Sequence, residues 1–217
     1  MQTLTERIFA LAPPGGLFDQ TVVCNLFPNA STGARRLLLH RAVDRSEVLR
    51  LARGVYCLAE AYRKSQPHPF AVAALLCFPS HVSLESALAY HALIPEAVYG
   101  VTSATLQRSR EYDTPLGHFS YVRIPTDNPT AGVKAVRLDR QWWAFVASPL
   151  RAIADLVCAR RRIAWPSDGI AFLTDSMRID REDLRSLRLD DFEEICASFH
   201  NPRVRAYLTG LREEVTR

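Results

Sequence analysis

The sequence lacks a long apolar run. Its longest mainly apolar stretch, Phe70 to Pro79, is about half of the ~20 residues that a membrane-spanning helix needs. Near the start of the chain, Glu6 and Arg7 stand where a secretory signal would continue as an uninterrupted apolar segment. We therefore expect no membrane span and a cytoplasmic protein.

Cysteine is scarce, and the familiar catalytic and metal-binding motifs are missing. The five cysteines are odd in number and widely spaced, which argues against a disulfide framework and predicts buried, reduced thiols. The sequence contains no H-E-x-x-H, no G-x-S-x-G and no phosphate-binding glycine loop. We expect no cofactor, no metal ion and no catalytic centre, and we interpret His68, His81 and His91 as helix caps or partly buried imidazoles.

Positive charge is concentrated in the first part of the chain. The 217 residues, 48% of them apolar, suffice for one domain with a sizeable core or for two small ones. Residues 1–66 carry a net charge of +4, whereas residues 164–217 carry −3. Residues 31–53 hold six arginines against Asp44 and Glu47 alone. Such a segment is typical of a surface that binds a polyanion, although a solvated helix face has a similar composition.

The first 60 residues predict a helix, a helix, a tight turn, a third helix and a β-hairpin. The first helix, residues 3–11, ends at a Pro-Pro-Gly-Gly run, and Asp19 caps a second helix. Ser31 caps the third helix, which extends to Arg45. Residues 47–58 form two apolar or alternating runs around Ala52-Arg53-Gly54, the pattern of a hairpin with a basic tip. This order is that of a winged helix-turn-helix.

The rest of the chain predicts a second, mixed unit. A polar, proline-bearing segment from Tyr62 to Pro69 is typical of a linker. We therefore expect an α/β (mixed α+β) protein, with a winged helix-turn-helix over residues 1–62 and a small α/β domain with a helical C-terminal part over residues 67–217. Strands are predicted at 98–106, 119–124 and 133–138, helices at 70–78, 85–92 and 150–159, and helical structure from 165 to 217. We expect Ser83 to cap the helix at 85–92, and Ser148-Pro149 to start the helix at 150–159.

The order of these segments resembles the AbiEi family of antitoxins. The resemblance is carried by LFDQTVVCNLFPNASTGARRLLLHRAVDRSEVLRLARGVYCL, which closes on Gly54-Val55-Tyr56, by HVSLESALAYHALIPEAVYGVTSATLQRSR, and by VASPLRAIADLV. It covers residues 17 to 160. Members of the family often have a glycine between the third helix and the hairpin, where this chain has Asp44-Arg45-Ser46.

The resemblance implies a function in a toxin–antitoxin system. It implies a cytoplasmic bacterial repressor that binds inverted repeats of double-stranded DNA in its own promoter. It also implies a cognate, nucleotidyltransferase-like toxin that the second domain counteracts. We expect a monomer or weak homodimer on DNA, and we expect repression and neutralisation to separate at the linker.

The third helix and the hairpin supply the candidate DNA contacts. We place Ala34, Leu37, Leu38 and Ala42 on the buried face of the helix, with Arg36 and His40 opposite and Arg35 and Leu39 at the borders. Arg36 can bond both acceptors of a guanine, and Leu39 can touch a thymine methyl. The predicted DNA-binding residues are Ser31, Thr32, Arg35, Arg36, Leu39, His40, Arg50 and Arg53.

Two other functions stay open. The chain can be a protein-interaction module whose winged helix does not bind DNA, or, less favoured, an enzyme with an unrecognised site. Trp142, Trp143 and Tyr99 can either anchor a partner or fill the core of the sheet, and we favour the core.

Overall fold

The computed structural model describes residues 3–95, 99–139 and 142–216. Within these ranges the chain is a mixed α+β protein with two separate sheets, one of three strands and one of six. The predicted fold class is therefore confirmed.

Residues 4–58 place helices on one face of the smaller sheet. The helices are α1 (Leu4–Leu11), α2 (Gln20–Leu26) and α3 (Thr32–Asp44), and the strands are β1 (Leu17–Asp19), β2 (Val48–Ala52) and β3 (Val55–Leu58). The predicted hairpin is present as β2 and β3, and β1, which was not predicted, pairs antiparallel with β3 to give the order β1-β3-β2. Short 3₁₀ turns lie at Pro14–Gly16 and Glu60–Tyr62.

The turn between α3 and β2 has a backbone that favours glycine. Ser46 adopts φ 56°, in the left-handed region that side chains other than glycine occupy at a cost.

The larger sheet forms the centre of the second unit. Its strands are β4 (His81–Val82), β5 (Gly100–Thr105), β6 (Arg110–Thr114), β7 (Gly117–Arg123), β8 (Val133–Arg137) and β9 (Trp143–Ala147). Their order is β6-β7-β5-β4-β9-β8, with parallel pairing of β5 to β7 and of β4 to β9. The three predicted strands correspond to β5, β7 and β8, with residue 98 outside the described residues, whereas β6 and β9 were missed.

The remaining helices are α4 (Pro69–Leu76), α5 (Leu84–Tyr90), α6 (Pro149–Ala159), α7 (Trp165–Asp168), α8 (Arg181–Arg185), α9 (Leu189–Ala197) and α10 (Pro202–Val215), with a π-helical turn at Phe172–Ser176. Ser148 and Pro149 start α6 as predicted, since the Ser148 hydroxyl accepts from the Arg151 amide. Ser83 was expected to cap α5 in the same way, but its hydroxyl donates to Asp155 instead.

The smaller sheet is covered on both faces. Phe18, Val48 and Leu58 face a small core with Leu4, Ile8, Val23, Leu39 and Ala42. The alternate residues Leu51 and Cys57 belong to the large core of the second unit. The predicted linker also packs against the chain: Pro67 is buried, and a Cβ on Gly15 would lie 2.6 Å from the Pro67 Cα. The hairpin thus lies between α1 and α3 on one side and the second unit on the other.

In the part of the chain that the structure describes, no helix combines the length and apolar character needed to cross a bilayer.

Candidate nucleic-acid interface

The α2–turn–α3 segment is held by caps that the sequence specifies. The Asp19 carboxylate accepts from the Val22 amide at 3.0 Å and starts α2. The Ser31 hydroxyl accepts from the Ala34 amide at 3.1 Å and starts α3. Pro28 and Asn29 lie between the two helices, so the chain reverses within a few residues.

Arg35 holds the turn and is not directed outward. Its guanidinium donates to the carbonyls of Phe27 at 2.9 Å and Pro28 at 2.8 Å, which are carbonyls that the end of α2 leaves without helical partners. A third contact reaches Cys24 Sγ at 3.5 Å. The predicted role of Arg35 in contacting DNA is therefore not supported by its geometry, and its side chain fixes the angle between α2 and α3.

The buried face of α3 differs from the predicted one. Leu39 is 5% exposed and packs in the small core with Ala42, so the prediction that Leu39 touches a thymine methyl is wrong. Leu37, which we expected to be buried, is 49% exposed, and Ala34 is exposed as well. An apolar stripe on a helix spans about 100°, and three consecutive leucines span twice that, so one of them must face outward. Leu37 takes that position.

The exposed face of α3 carries most of the predicted residues. Ser31, Thr32, Arg36 and His40 are exposed, as expected. His40 Nδ1 lies 2.5 Å from the Asp44 carboxylate one turn further along. Arg41 is also exposed and was missed, although it lies next to His40 and is one of three arginines on α3.

The hairpin presents Arg50 and Arg53 to solvent. Arg50 pairs across the strands with Tyr56, and Arg53 lies in the connecting turn. Gly54 has φ 82°, which the turn requires, and its carbonyl accepts from the Gln20 amide at 3.0 Å. This bond ties the tip of the hairpin to the first residue of α2.

Five exposed arginines on α3, the turn after it and the hairpin have no acidic partner in the part of the chain that the structure describes. Glu47 accepts from Thr5 Oγ1 at 2.6 Å, and Asp44 pairs with His40, so both acids of the segment have other partners. Among the described residues, no carboxylate lies within ion-pair distance of the exposed guanidinium groups of Arg36, Arg41, Arg45, Arg50 and Arg53. We call these five residues the arginine surface. Its chemistry is suited to phosphate groups.

A second polar cluster is buried in the larger unit. Arg151 Nε donates to Asp155 Oδ1 at 2.8 Å, and the other oxygen, Oδ2, accepts from Ser83 Oγ at 2.7 Å and lies 3.2 Å from His81 Nε2. Burial opposes ionisation of Asp155, but Arg151, with the hydrogen bonds from His81 and Ser83, outweighs it and lowers the pKa of the carboxyl group.

This cluster is not arranged as a catalytic triad. A triad requires the serine hydroxyl to bond the histidine, whereas Ser83 and His81 each bond the same carboxylate oxygen. Ser83 is also fully buried. Of the other histidines, His68 caps α4 and His91 Nε2 contacts the Ala147 carbonyl at 2.9 Å. The described residues contain no group of three His, Cys, Asp or Glu side chains placed to hold a metal ion.

Trp142, Trp143 and Tyr99, which could either anchor a partner or fill the core, differ in exposure. Trp142 is buried, as the core interpretation expects, but Trp143 is 61% exposed and Tyr99 is fully exposed. Core packing therefore explains only Trp142.

Comparison with known proteins does not assign the chain to a family. No protein-family model matches it, and no curated protein matches it significantly.

Proposed function

We propose that the protein is a sequence-specific DNA-binding repressor that acts in the cytoplasm as the antitoxin of a toxin–antitoxin operon. The observation that carries the DNA-binding part is the arginine surface: five exposed guanidinium groups on α3, the turn after it and the adjoining hairpin, which have no acidic partner among the described residues. An unpaired cationic surface of this kind binds the phosphate backbone by releasing its counterions.

The element order supports α3 as the recognition helix. Helices α2 and α3 meet at a tight turn, and the hairpin follows directly, as in a winged helix-turn-helix. In helix-turn-helix proteins the second helix lies in the major groove with its N-terminal residues at the base edges. In this proposal α3 is that helix, and the β2–β3 hairpin is the wing.

The proposal assigns a contact with DNA to each exposed residue of α3 and the hairpin. Arg36 donates to a guanine, and Leu37, in place of Leu39, contacts a thymine methyl. The free amides at the start of α3 bind a phosphate. Arg50 and Arg53 on the hairpin bind the backbone or a narrow minor groove. Thr32, His40 and Arg41 complete the surface that faces the groove.

The antitoxin part of the proposal rests on the resemblance of the sequence to the AbiEi family. In this proposal the DNA is an inverted repeat in the protein's own promoter, bound by a monomer or weak homodimer. The second unit counteracts the cognate toxin.

One observation favours a protein-interaction module instead. Trp143 and Phe145 are 61% and 54% exposed on the same face of β9, and large exposed aromatics often anchor a partner. In this alternative the arginine surface does not select a DNA sequence.

A gel-shift titration on the DNA upstream of the protein's own gene separates the two. We expect the full chain to bind one fragment more tightly than a shuffled duplex, and the Arg36→Ala, Arg41→Ala double variant to lose this preference. Arg185→Ala, an exposed arginine on α8, is the matched control and should bind like wild type. Equal affinity of the wild-type protein for upstream and shuffled DNA would refute sequence-specific repression.

Co-expression tests the antitoxin part separately. The gene next to this one should slow growth when expressed alone, and the full chain should restore growth. If the neighbouring product is harmless, or if the chain does not relieve its toxicity, the antitoxin assignment fails whatever the DNA result.

A further inference from the structure

The two edges of the larger sheet are covered to different extents. β6 forms one edge and lies beside β2 of the smaller sheet. β8 forms the other edge, and its residues Lys134, Ala135 and Arg137 are exposed. Among the described residues, β9 is the only strand that pairs with β8. One side of β8 is therefore open to solvent.

Backbone groups of β8 point away from β9 along this open side. The Ser148 amide donates to the Gly132 carbonyl at 2.7 Å, which marks these two residues as a hydrogen-bonded pair of the antiparallel ladder. The direction of bonding alternates along such a strand, so the odd-numbered residues of β8 point their backbone groups outward. The Val133 amide turns back to the Thr130 carbonyl. The Ala135 amide and the carbonyls of Val133 and Ala135 have no partner among the described residues, so they can bond a further strand.

Two aromatic side chains lie beside the open edge on one face of the sheet. Phe145 is directly opposite Ala135, and Trp143 is directly opposite Arg137. Residues that are directly opposite project to the same face, and both aromatic side chains are more than half exposed. A strand added to β8 would lie two strand spacings, roughly 9.5 Å, from β9. Because Ala135 carries only a methyl group, large apolar side chains on the added strand can reach Phe145 above it.

The opposite face of the edge carries a positive charge. Lys134 projects to that face, because successive residues of a strand alternate. It is exposed, and no carboxylate lies within ion-pair distance of it in the ranges that the structure describes. An acidic side chain on an added strand, next in sequence to an apolar one, would lie across from Lys134. The edge therefore favours a segment in which apolar and acidic residues alternate.

A second copy of the chain fits this edge less well. Pairing two β8 strands about a two-fold axis at Ala135 makes the two Lys134 side chains diagonal neighbours on one face, roughly 7–8 Å apart. The sequence of β8, VKAVR, contains no acidic residue that would offset this repulsion. Lysine on an edge strand discourages such self-pairing but attracts a strand of opposite charge.

We propose that the open edge of β8 binds an extended segment of a partner protein in which large apolar residues alternate with acidic ones. The segment adds to the sheet as a further strand and bonds the outward backbone groups of Val133 and Ala135. Its apolar side chains contact Phe145 and Trp143, and its acidic side chains face Lys134. This surface is separate from the arginine surface, and the inference does not rest on the proposed function.

NMR titration of the full chain with a synthetic peptide tests the proposal. The peptide is Ser-Glu-Phe-Glu-Val-Glu-Ser with blocked ends, and Ser-Lys-Phe-Lys-Val-Lys-Ser is its charge-reversed control. We expect the acidic peptide to shift the amide signals of β8, Trp143 and Phe145. The basic peptide should bind at least about threefold more weakly, because an exposed ion pair with Lys134 becomes a repulsion.

Two further peptides, methylated on alternate amides, test whether the segment binds as a strand. One carries methyl groups on the Phe and Val amides of the acidic peptide, and the other carries them on its last two Glu amides. A strand turns one of these sets toward β8 and the other toward solvent. We therefore expect one peptide to lose binding and the other to keep it, and equal behaviour of the two would overturn strand addition.

Substitutions of exposed residues locate the site with little risk to folding. Lys134→Glu should weaken binding of the acidic peptide at least about threefold and strengthen binding of the basic one, whereas Arg185→Glu, the same change of charge on α8, should do neither. Phe145→Ala should weaken binding of the acidic peptide. Tyr99→Ala, which removes another exposed aromatic, should leave it within about twofold of wild type.

Several results would overturn the proposal. Absence of binding by the acidic peptide, tighter binding by the basic one, or signal changes confined to α3 and the β2–β3 hairpin would each do so. Equal effects of Lys134→Glu and Arg185→Glu would show that the acidic side chains do not face β8.

Discussion

Leu37 and Leu39 are chemically identical and lie two residues apart on α3, yet the fold gives them opposite surroundings. Leu39 packs in the small core beneath α1 and the hairpin, whereas Leu37 is about half exposed. Deleting a buried leucine side chain typically costs about 2–5 kcal/mol, and most surface substitutions stay within about 0.5 kcal/mol. We therefore expect Leu39→Ala to lower the free energy of unfolding by about 2–5 kcal/mol and Leu37→Ala by less than about 0.5 kcal/mol.

Urea unfolding of the two variants measures the difference directly. Under the proposed function, Leu37→Ala should also weaken binding to operator DNA while leaving stability unchanged. Equal destabilisation by the two substitutions would contradict the assignment of the buried face.

The buried carboxylate of Asp155 links stability to acid pH. Its pKa is lower in the folded than in the unfolded state, so folding favours the ionised form. This contribution is fully present above the unfolded pKa, about 4, and is lost as the pH falls through the folded value. Replacing Asp155 with Asn removes it and leaves Arg151 buried without a counterion, which typically costs about 3–5 kcal/mol.

We expect Asp155→Asn to be less stable than wild type at pH 7 and the difference to shrink as the pH falls below about 4. Denaturant unfolding at a series of pH values measures this gap. Asp190→Asn, an exposed carboxyl on α9, serves as the control and should change stability little. A gap that is constant with pH would show that the carboxylate charge is not what stabilises the cluster.

At the scale of elements, removing an arginine from α3 should change DNA binding in a different way from removing one from the hairpin. Under the proposed function, Arg36 lies in the part of α3 that contacts base edges, whereas Arg53 lies in the turn of the hairpin. We expect Arg36→Ala to cost about 1–3 kcal/mol on the specific site and to relax the sequence preference. Arg53→Ala should weaken all duplexes alike and reduce the slope of log affinity against log salt by roughly one unit.

Titrations of both variants at several salt concentrations, on the upstream site and on a shuffled duplex, distinguish the two effects. If neither substitution changes specific binding, α3 is not the recognition helix.

The elements that local signals define were predictable, and those defined by distant pairing were not. Asp19, Ser31 and Ser148 mark helix starts that the structure has at the expected places. By contrast, β6 is a mostly exposed edge strand without an alternating apolar pattern, and it becomes a strand through its pairing with β7. The three leucines of α3 were ambiguous because helical period alone does not say which of them meets α1 and the sheet.

The Asp155 cluster illustrates the same limit. Arg151 and Asp155 lie one turn apart on an otherwise apolar helix, a local signal of a buried ion pair that was available in the sequence. The bonds to Ser83 and His81 span 72 and 74 residues, so no local pattern indicates them.

At the scale of the whole molecule, the smaller sheet determines how separable residues 1–66 are, because its two faces belong to different cores. Residues 1–66 include α3 and all five members of the arginine surface, so the groups proposed to bind DNA are within them. Leu51 and Cys57, with Leu17, Leu49 and Val55, face the second unit. A fragment of residues 1–66 would expose this apolar face, and so small a domain is already marginal in stability.

We therefore expect the fragment of residues 1–66 to unfold at lower temperature than the full chain and to self-associate. Substituting Leu49→Thr and Leu51→Thr in the fragment should reduce association, because threonine keeps β propensity while removing apolar surface from the face that the second unit covers in the full chain. Val48→Thr in the fragment is the matched control: its side chain faces the small core, so it should lower stability without improving solubility.

Sedimentation measures self-association, thermal unfolding measures stability, and a gel shift on the upstream DNA measures DNA binding. The Leu49→Thr, Leu51→Thr fragment should bind duplex DNA as a monomer. If the unaltered fragment is monomeric and as stable as the full chain, the second unit contributes nothing to the hairpin. If instead the soluble, folded variant fragment does not bind DNA, groups beyond residue 66 are needed for the interface, and the arginine surface alone does not explain recognition.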